Sequence, residues 1–205
     1  MSKIFVTGAT GLIGTKLTKR LLEEGHDVAG FTTSKNGKNK LESANVKAYV
    51  GDILKYDTIE AAIADFQPEI IINQITDLKG EGLATEETPL DLDSSGDRKV
   101  TVDGVIGLEE ETSRMDEYVV LRFGWLYGPG TWYGKDGMIY NQFVDGKVTL
   151  SDGVTSFIHL DDAVETSIQV LNFDNGIYNV ADDEPVKGSD FAEWYKQQLN
   201  VDPEI

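Results

Sequence analysis

The stretch Lys3-Ile4-Phe5-Val6-Thr7-Gly8-Ala9-Thr10-Gly11-Leu12-Ile13-Gly14 constrains this chain more than any other. It reads as a short apolar strand, a glycine-punctuated turn and the opening of a helix. Such a turn presents backbone N–H groups at a helix N-terminus, which favours the paired phosphates of a dinucleotide. Gly8 permits the tight turn, Gly11 lets the backbone approach the phosphates, and Gly14 lets the helix lie close on the strand. The spacing is G-x-x-G-x-x-G, not the commoner G-x-G-x-x-G. The strand before the glycines and the amphipathic helix after them carry the signal, against the alternative of a turn that binds nothing.

The rest of the chain follows the rhythm this opening sets. Ile13, Leu17, Leu21 and Leu22 share one helical face, and Gly25 stands where that helix stops. Residues 28–33 form a second strand, residues 34–40 a polar, basic loop, and residues 46–50 a third strand ending at Gly51-Asp52. Asp57-Thr58-Ile59-Glu60 opens a helix with Ile59, Ala62, Ile63 and Phe66 inward, and residues 70–72 are a continuous apolar strand. This alternation predicts right-handed βαβ units and an α/β, Rossmann-like, doubly wound parallel sheet. Residues 78–100 break the rhythm. A helix from about 102 to 113, a strand over 118–123 and a Gly/aromatic loop over 124–137 follow. A helix over 160–171, a strand over 177–180 and a last helix over 191–199 complete the chain. At 205 residues the expectation is a single domain, with a core over about 1–123 and a small C-terminal lobe over about 124–205.

Charge and composition remove several classes of function. A net charge of -18 disfavours nucleic acid and anionic membrane surfaces, because phosphate binding needs clustered Lys and Arg. With no cysteine there is no disulfide, thiolate nucleophile or thiolate metal site. No apolar run approaches the ~18 residues of a membrane span. The first residues enter a strand directly, so the expected location is cytoplasmic. His26 and His159 are the two histidines. His159 reads as part of a helix start with Asp161 and Asp162, and no metal site is assigned.

Several segments together resemble the short-chain dehydrogenase/reductase superfamily, in its extended and atypical branch of NAD(P)-dependent epimerases and dehydratases. They are residues 7–14, Gly51-Asp52-Ile53, Leu121-Arg122-Phe123-Gly124-Trp125-Leu126-Tyr127-Gly128-Pro129-Gly130, Ser156-Phe157-Ile158-His159-Leu160-Asp161-Asp162-Ala163, and residues 176–180. The resemblance implies a glycine loop of Gly8, Thr10, Gly11, Leu12, Ile13 and Gly14 on the pyrophosphate, and Asp52 with Ile53 at adenine. It also implies Asn73, Gln74 and Ile75 lying along the cofactor. Where NAD would call for an acid after the second strand, the sequence has Thr32, Thr33, Ser34 and Lys35. Hydroxyls and a cation suit a 2′-phosphate, so NADP is expected over NAD.

The resemblance weakens at the chemistry. Catalytic relatives carry Tyr-x-x-x-Lys, because a phenol with a pKa near 10 needs help to move a proton at neutral pH. Aligning that helix through Glu109 puts Thr101 and Val105 at those positions, and the catalytic residues stay unknown. The strand expected between residues 72 and 118 is missing. Either the fourth strand pairs directly with residues 118–123, or the sequence omits residues that the protein has. The second is favoured, since the flanking segments both look family-like. Thr155 and Ser156 stand where nucleotide-sugar enzymes place an arginine for the diphosphate, which disfavours a nucleotide-sugar substrate. Tyr127, Trp132 and Tyr133, with Met138 and Tyr140, either line an apolar substrate pocket or pack against the last helix. The function expected is an NADP-dependent oxidoreductase or epimerase/dehydratase-like enzyme on a small, non-nucleotide substrate. The alternative is a non-catalytic NAD(P)-binding sensor or scaffold. A homodimer is compatible with either.

Overall fold

The computed structural model describes residues 1–52, 56–72, 85–88, 90, 93, 95–114, 118–148 and 153–199. The chain divides into two compact units. Unit 1 comprises Met1–Arg122 and Val164–Tyr178, and unit 2 comprises Phe123–Ala163 and Asn179–Ile205.

In unit 1, β1 (Lys3–Val6), β2 (Asp27–Thr32), β3 (Lys47–Val50) and β4 (Ile70–Ile72) form a parallel sheet in the order β3-β2-β1-β4. The register places Val6 beside Gly30 and Ile72, and Thr32 beside Val50. Three helices connect these strands: α1 (Leu12–Glu23), α2 (Lys35–Ser43) and α3 (Tyr56–Phe66). Strand–helix–strand connections in one parallel sheet are what the sequence rhythm requires, and the fold is Rossmann-like. Ile4, Phe5, Val6, Leu17 and Leu21 are fully buried. Phe5 packs with Phe31, Ala62 and Phe66 on the α3 face, its ring 6.1 Å from Phe31 and 6.3 Å from Phe66. Near-continuous burial along β1 and β2, as in a sheet covered on both faces, meets the buried face of α1 in one core.

Two expectations are corrected here. Residues 34–40 are not a loop: Ser34 accepts a hydrogen bond from the Gly37 N–H at 3.0 Å and caps α2. That helix has just Gly37 and Leu41 buried, so an apolar period was never visible. It is carried by its cap and by the exposed Lys38–Glu42 pair at i,i+4. Helix α3 opens at Tyr56, which puts Asp57 inside the first turn, where a carboxylate favours the helix dipole, and not at the cap.

Later in unit 1, α4 (Asp97–Thr112) starts earlier than the apolar pattern suggests, and Val102 and Val105 pack with Leu90. Strand β5 (Val119–Phe123) pairs with β9 (Gly176–Val180). Among the described residues β5 does not pair with β4.

Unit 2 is built differently. Strands β6 (Trp125–Tyr127) and β8 (Phe157–His159) pair in parallel, and β7 (Val154–Thr155) pairs antiparallel with β10 (Val186–Lys187). The Gly/aromatic loop expected over 124–137 therefore contains a strand. Its flanking Gly124, Gly128, Pro129 and Gly130 hid three residues of extended chain. Helices α5 (Met138–Val144) and α7 (Gly188–Leu199) enclose Phe143, Ala192 and Tyr195. Helix α6 (Leu160–Gln169) is followed by a 3-10 turn over Val170–Asn172. No helix among the described residues is long and apolar enough to cross a membrane.

Candidate functional site

The carboxyl ends of β1, β2 and β3 point the same way, so the turns after them share one edge of unit 1. After β1, Gly8 has φ +64°, and its carbonyl accepts the Gly11 N–H at 2.8 Å. Gly11 then stands at the N-cap of α1, and no side chain caps that helix. The first-turn N–H groups are thus presented as anion donors. A Cβ on Gly14 would lie 2.2 Å from the Gly8 carbonyl oxygen and 2.7 Å from the Ala9 Cα. Glycine there is a condition of the turn. Ile13 is buried against the core while Leu12 is 43% exposed at the rim.

After β2, Thr32 is buried and its hydroxyl lies 3.3 Å from that of Thr10, which joins the glycine turn to the second strand. Thr33, Ser34 and Lys35 are exposed, with Ser34 capping α2 as described. Gly37 was missed by sequence reasoning: a Cβ there would fall 2.2 Å from Thr32 Oγ1. A glycine in a polar helix carries no signal to find it by. After β3, Asp52 is half-buried, and its carbonyl accepts the Thr58 hydroxyl at 2.9 Å. Ile53, Asn73, Gln74 and Ile75 lie outside the described residues. The donor set suits a dinucleotide: an open helix N-terminus, two threonine hydroxyls and a second capped N-terminus. Residues 1–51 hold eight Lys and Arg against four Asp and Glu, in a chain of net charge -18. This segment is locally cationic.

Glu109 on α4 receives Arg122 of β5 in a bidentate pair, at 2.9 Å from Nε and 2.8 Å from Nη2. Arg122 also donates from Nη1 to the carbonyls of Glu86 and Thr88 at 3.2 and 3.3 Å. The guanidinium is 5% exposed, and its hydrogen bonds to Glu109 push its pKa above the ordinary arginine value. Val105, one turn earlier on α4, is 2% exposed and packs in the core. The side chain of Thr101 lies outside the described residues.

In unit 2, the candidate substrate residues occupy three environments. Tyr133 is ringed by Phe157 at 5.4 Å, Phe191 at 5.3 Å and Tyr195 at 6.0 Å, and its carbonyl accepts the Tyr195 hydroxyl. Burial raises the Tyr133 phenol pKa to about 12. Trp132 is 55% exposed and meets Trp125, itself 50% exposed, edge to face at 6.0 Å. Tyr127 packs edge-on to His159 at 5.2 Å. Burial and the Asp182 carboxylate, which accepts a hydrogen bond from its hydroxyl, hold the Tyr127 phenol above its ordinary pKa. His159 Nδ1 accepts the Asp161 N–H at 3.3 Å, so the imidazole caps α6. Trp125 was not singled out from sequence, and Asp182 reads there, with Asp183 and Glu184, as a solvated turn before Pro185. The alternation Trp125-Leu126-Tyr127 was the available signal for the first.

Residues 4–93 match the NAD dependent epimerase/dehydratase family. The 3-diazoavenalumate denitrifying reductase of Streptomyces sp is 26% identical over 98% of this chain and 83% of its own length. Among solved structures, dTDP-glucose 4,6-dehydratase from Bacillus anthracis, in complex with NAD, superposes with a TM-score of 0.73. It is 16% identical and covered to 83%, against all of this chain. UDP-glucose 4-epimerase from Thermotoga maritima, with UDP-glucose, gives 0.73 at 17% identity, over 98% of this chain and 84% of that one. The family match covers residues 4–93, less than half of the chain. The structural likenesses carry the family's fold. The alignment with the reductase runs over 255 residues against a chain of 205, so at least about 50 positions of that relative have no counterpart here.

Proposed function

We propose that this chain is an NADP-dependent reductase of a small, non-nucleotide acceptor. The observation that carries the cofactor choice is the turn after β2. Thr32, Thr33, Ser34 and Lys35 lead into the N-terminus of α2 with no carboxylate among them. A 2′-phosphate there would meet hydroxyls, the Lys35 ammonium and the α2 N–H groups, whereas the ribose 2′-hydroxyl of NAD would lack its usual acid. The α1 N-terminus holds the pyrophosphate, Thr10 and Thr32 order the ribose side, and Asp52 meets adenine. The bound nicotinamide supplies hydride transfer at its C4. The choice of a reductase over an epimerase rests on the full-length likeness to a reductase named for a diazo substrate. Thr155 and Ser156, in place of a diphosphate-gripping arginine, support a non-nucleotide acceptor.

Calorimetric titration of the full chain with NADPH and NADH tests the cofactor reading. NADPH should bind at least about tenfold tighter, and Lys35→Glu should erase that preference. Equal affinities, or a preference untouched by Lys35→Glu, would overturn it. The buried Val105 at the lysine position favours a second reading, a cofactor-binding sensor. NADPH binding without consumption across carbonyl and diazo acceptors would select the sensor.

A further inference from the structure

Unit 2 has an electrostatic character opposite to that of the first 51 residues. Its residues include twelve carboxylates, four lysines and no arginine. Of those lysines, Lys147 is tied to Asp145 at 2.9 Å and Lys196 is 8% exposed. On this lobe stand two indoles that the core does not need. Tyr133, Phe157, Phe191 and Tyr195 already close the aromatic interior, with Phe157 and Phe191 stacked at 4.3 Å. Trp125 and Trp132 remain half-exposed, at 65° to one another, with Tyr133 meeting Trp125 edge-on at 6.4 Å. Two rings at that angle make a corner: a flat ligand lying on one indole face meets the other ring at its edge. Backbone fixes the corner's position, since the Trp125 N–H donates to the Ser156 carbonyl at 2.9 Å, in a strand whose register pairs Trp125 with Phe157.

We infer that the Trp125–Trp132 corner of unit 2 is a binding site for a planar aromatic cation. Indole faces carry negative potential and attract a cation lying over them, and the excess of carboxylates over lysines in the unit as a whole favours a cation over an anion. An anionic diphosphate would meet the opposite field with no guanidinium to hold it. This rests on the reading of the chain as a reductase of a non-nucleotide acceptor, and it names the class of that acceptor.

Isothermal titration of the full chain at pH 8 with 1-methylquinolinium, quinoline and UDP tests it. The cation should bind about tenfold tighter than neutral quinoline, UDP should give no signal, and added NaCl should weaken the cation. Trp125→Leu and Trp132→Leu should each cost about fivefold or more in cation affinity while leaving NADPH binding intact. Trp125→Phe should retain part of it, which guards against a leucine variant that misfolds. Equal binding of quinoline, binding of UDP, or unchanged affinity in the variants would overturn the site. So would sedimentation showing a second copy of the chain covering both indoles. NADPH is titrated in the same samples: its failure to bind the parent chain would undo the reductase reading and leave the quinolinium result standing.

Discussion

Units 1 and 2 are held together by different forces. In unit 1 the four parallel strands fix one another's register through backbone hydrogen bonds, and side chains fill the space that results. In unit 2 the strands are two or three residues long, apart from the share of β9 that reaches into it, and rings do the organising. Backbone-led structure tolerates exchange among apolar residues of similar size. Ring-led structure depends on particular aromatic faces meeting at particular angles.

The largest effect that would sharpen this contrast lies at the buried ion pair. Glu109→Ala leaves the Arg122 guanidinium buried without its carboxylate and should cost unit 1 about 4 kcal/mol. Hydrogen exchange should show the loss in α4 and β5 with unit 2 amides unchanged; equal loss in both would break the contrast. Phe191→Ala removes a ring stacked on Phe157 at 4.3 Å and Tyr195 at 5.6 Å, and should cost unit 2 about 3 kcal/mol. Near-ultraviolet circular dichroism should collapse while NADPH binding holds. Gly14→Ala forces a methyl against the Gly8 carbonyl and should cost about 2 kcal/mol, with NADPH affinity falling by at least about tenfold. Unaltered NADPH binding in that variant would count against the turn as the phosphate site.

Alkaline pH offers a gentler comparison. Burial raises the Tyr133 pKa in the folded state to about 12, and burial also raises that of Tyr195. A raised folded pKa contributes stability that is complete below the unfolded value near 10 and is lost as pH rises through the folded one. Unit 2 should therefore loosen between about pH 10 and 12. Tyrosinate absorbance would follow the ionisation, and Tyr133→Phe should remove part of the slope. The smallest effect is expected from Ser34→Ala, which removes the α2 cap for about 1 kcal/mol and should show as faster exchange at the Gly37 amide.

The same contrast explains what the sequence made legible. The sheet of unit 1 was readable because Ile4, Phe5 and Val6, or Ile70, Ile71 and Ile72, announce apolar strands by composition alone, although Ile70 and Ile71 are only half-buried. Helix α2 was not, because Ser34 and the Lys38–Glu42 pair stabilise it without an apolar stripe. The glycine turn was visible through Gly8, Gly11 and Gly14, yet Gly37 was hidden, since the need for it arises from Thr32, five residues away in sequence and on another element. In unit 2, the open alternatives for Tyr133 could not be separated from sequence. Edge-to-face contact with residues 157, 191 and 195 is a property of the assembled lobe, not of any local pattern.

Arg122 has one more implication. Its guanidinium grips carbonyls 86 and 88, while the Ile72 carbonyl at the other side of the gap accepts the Thr7 N–H at 3.0 Å. Both moorings are made by residues on either side of positions 73–84: Ile72 with Thr7, and carbonyls 86 and 88 with Arg122. The hydrogen bonds of the glycine turn after β1 and of the Arg122–Glu109 pair join residues outside those positions, so a chain that differs in length there retains the residues that make both.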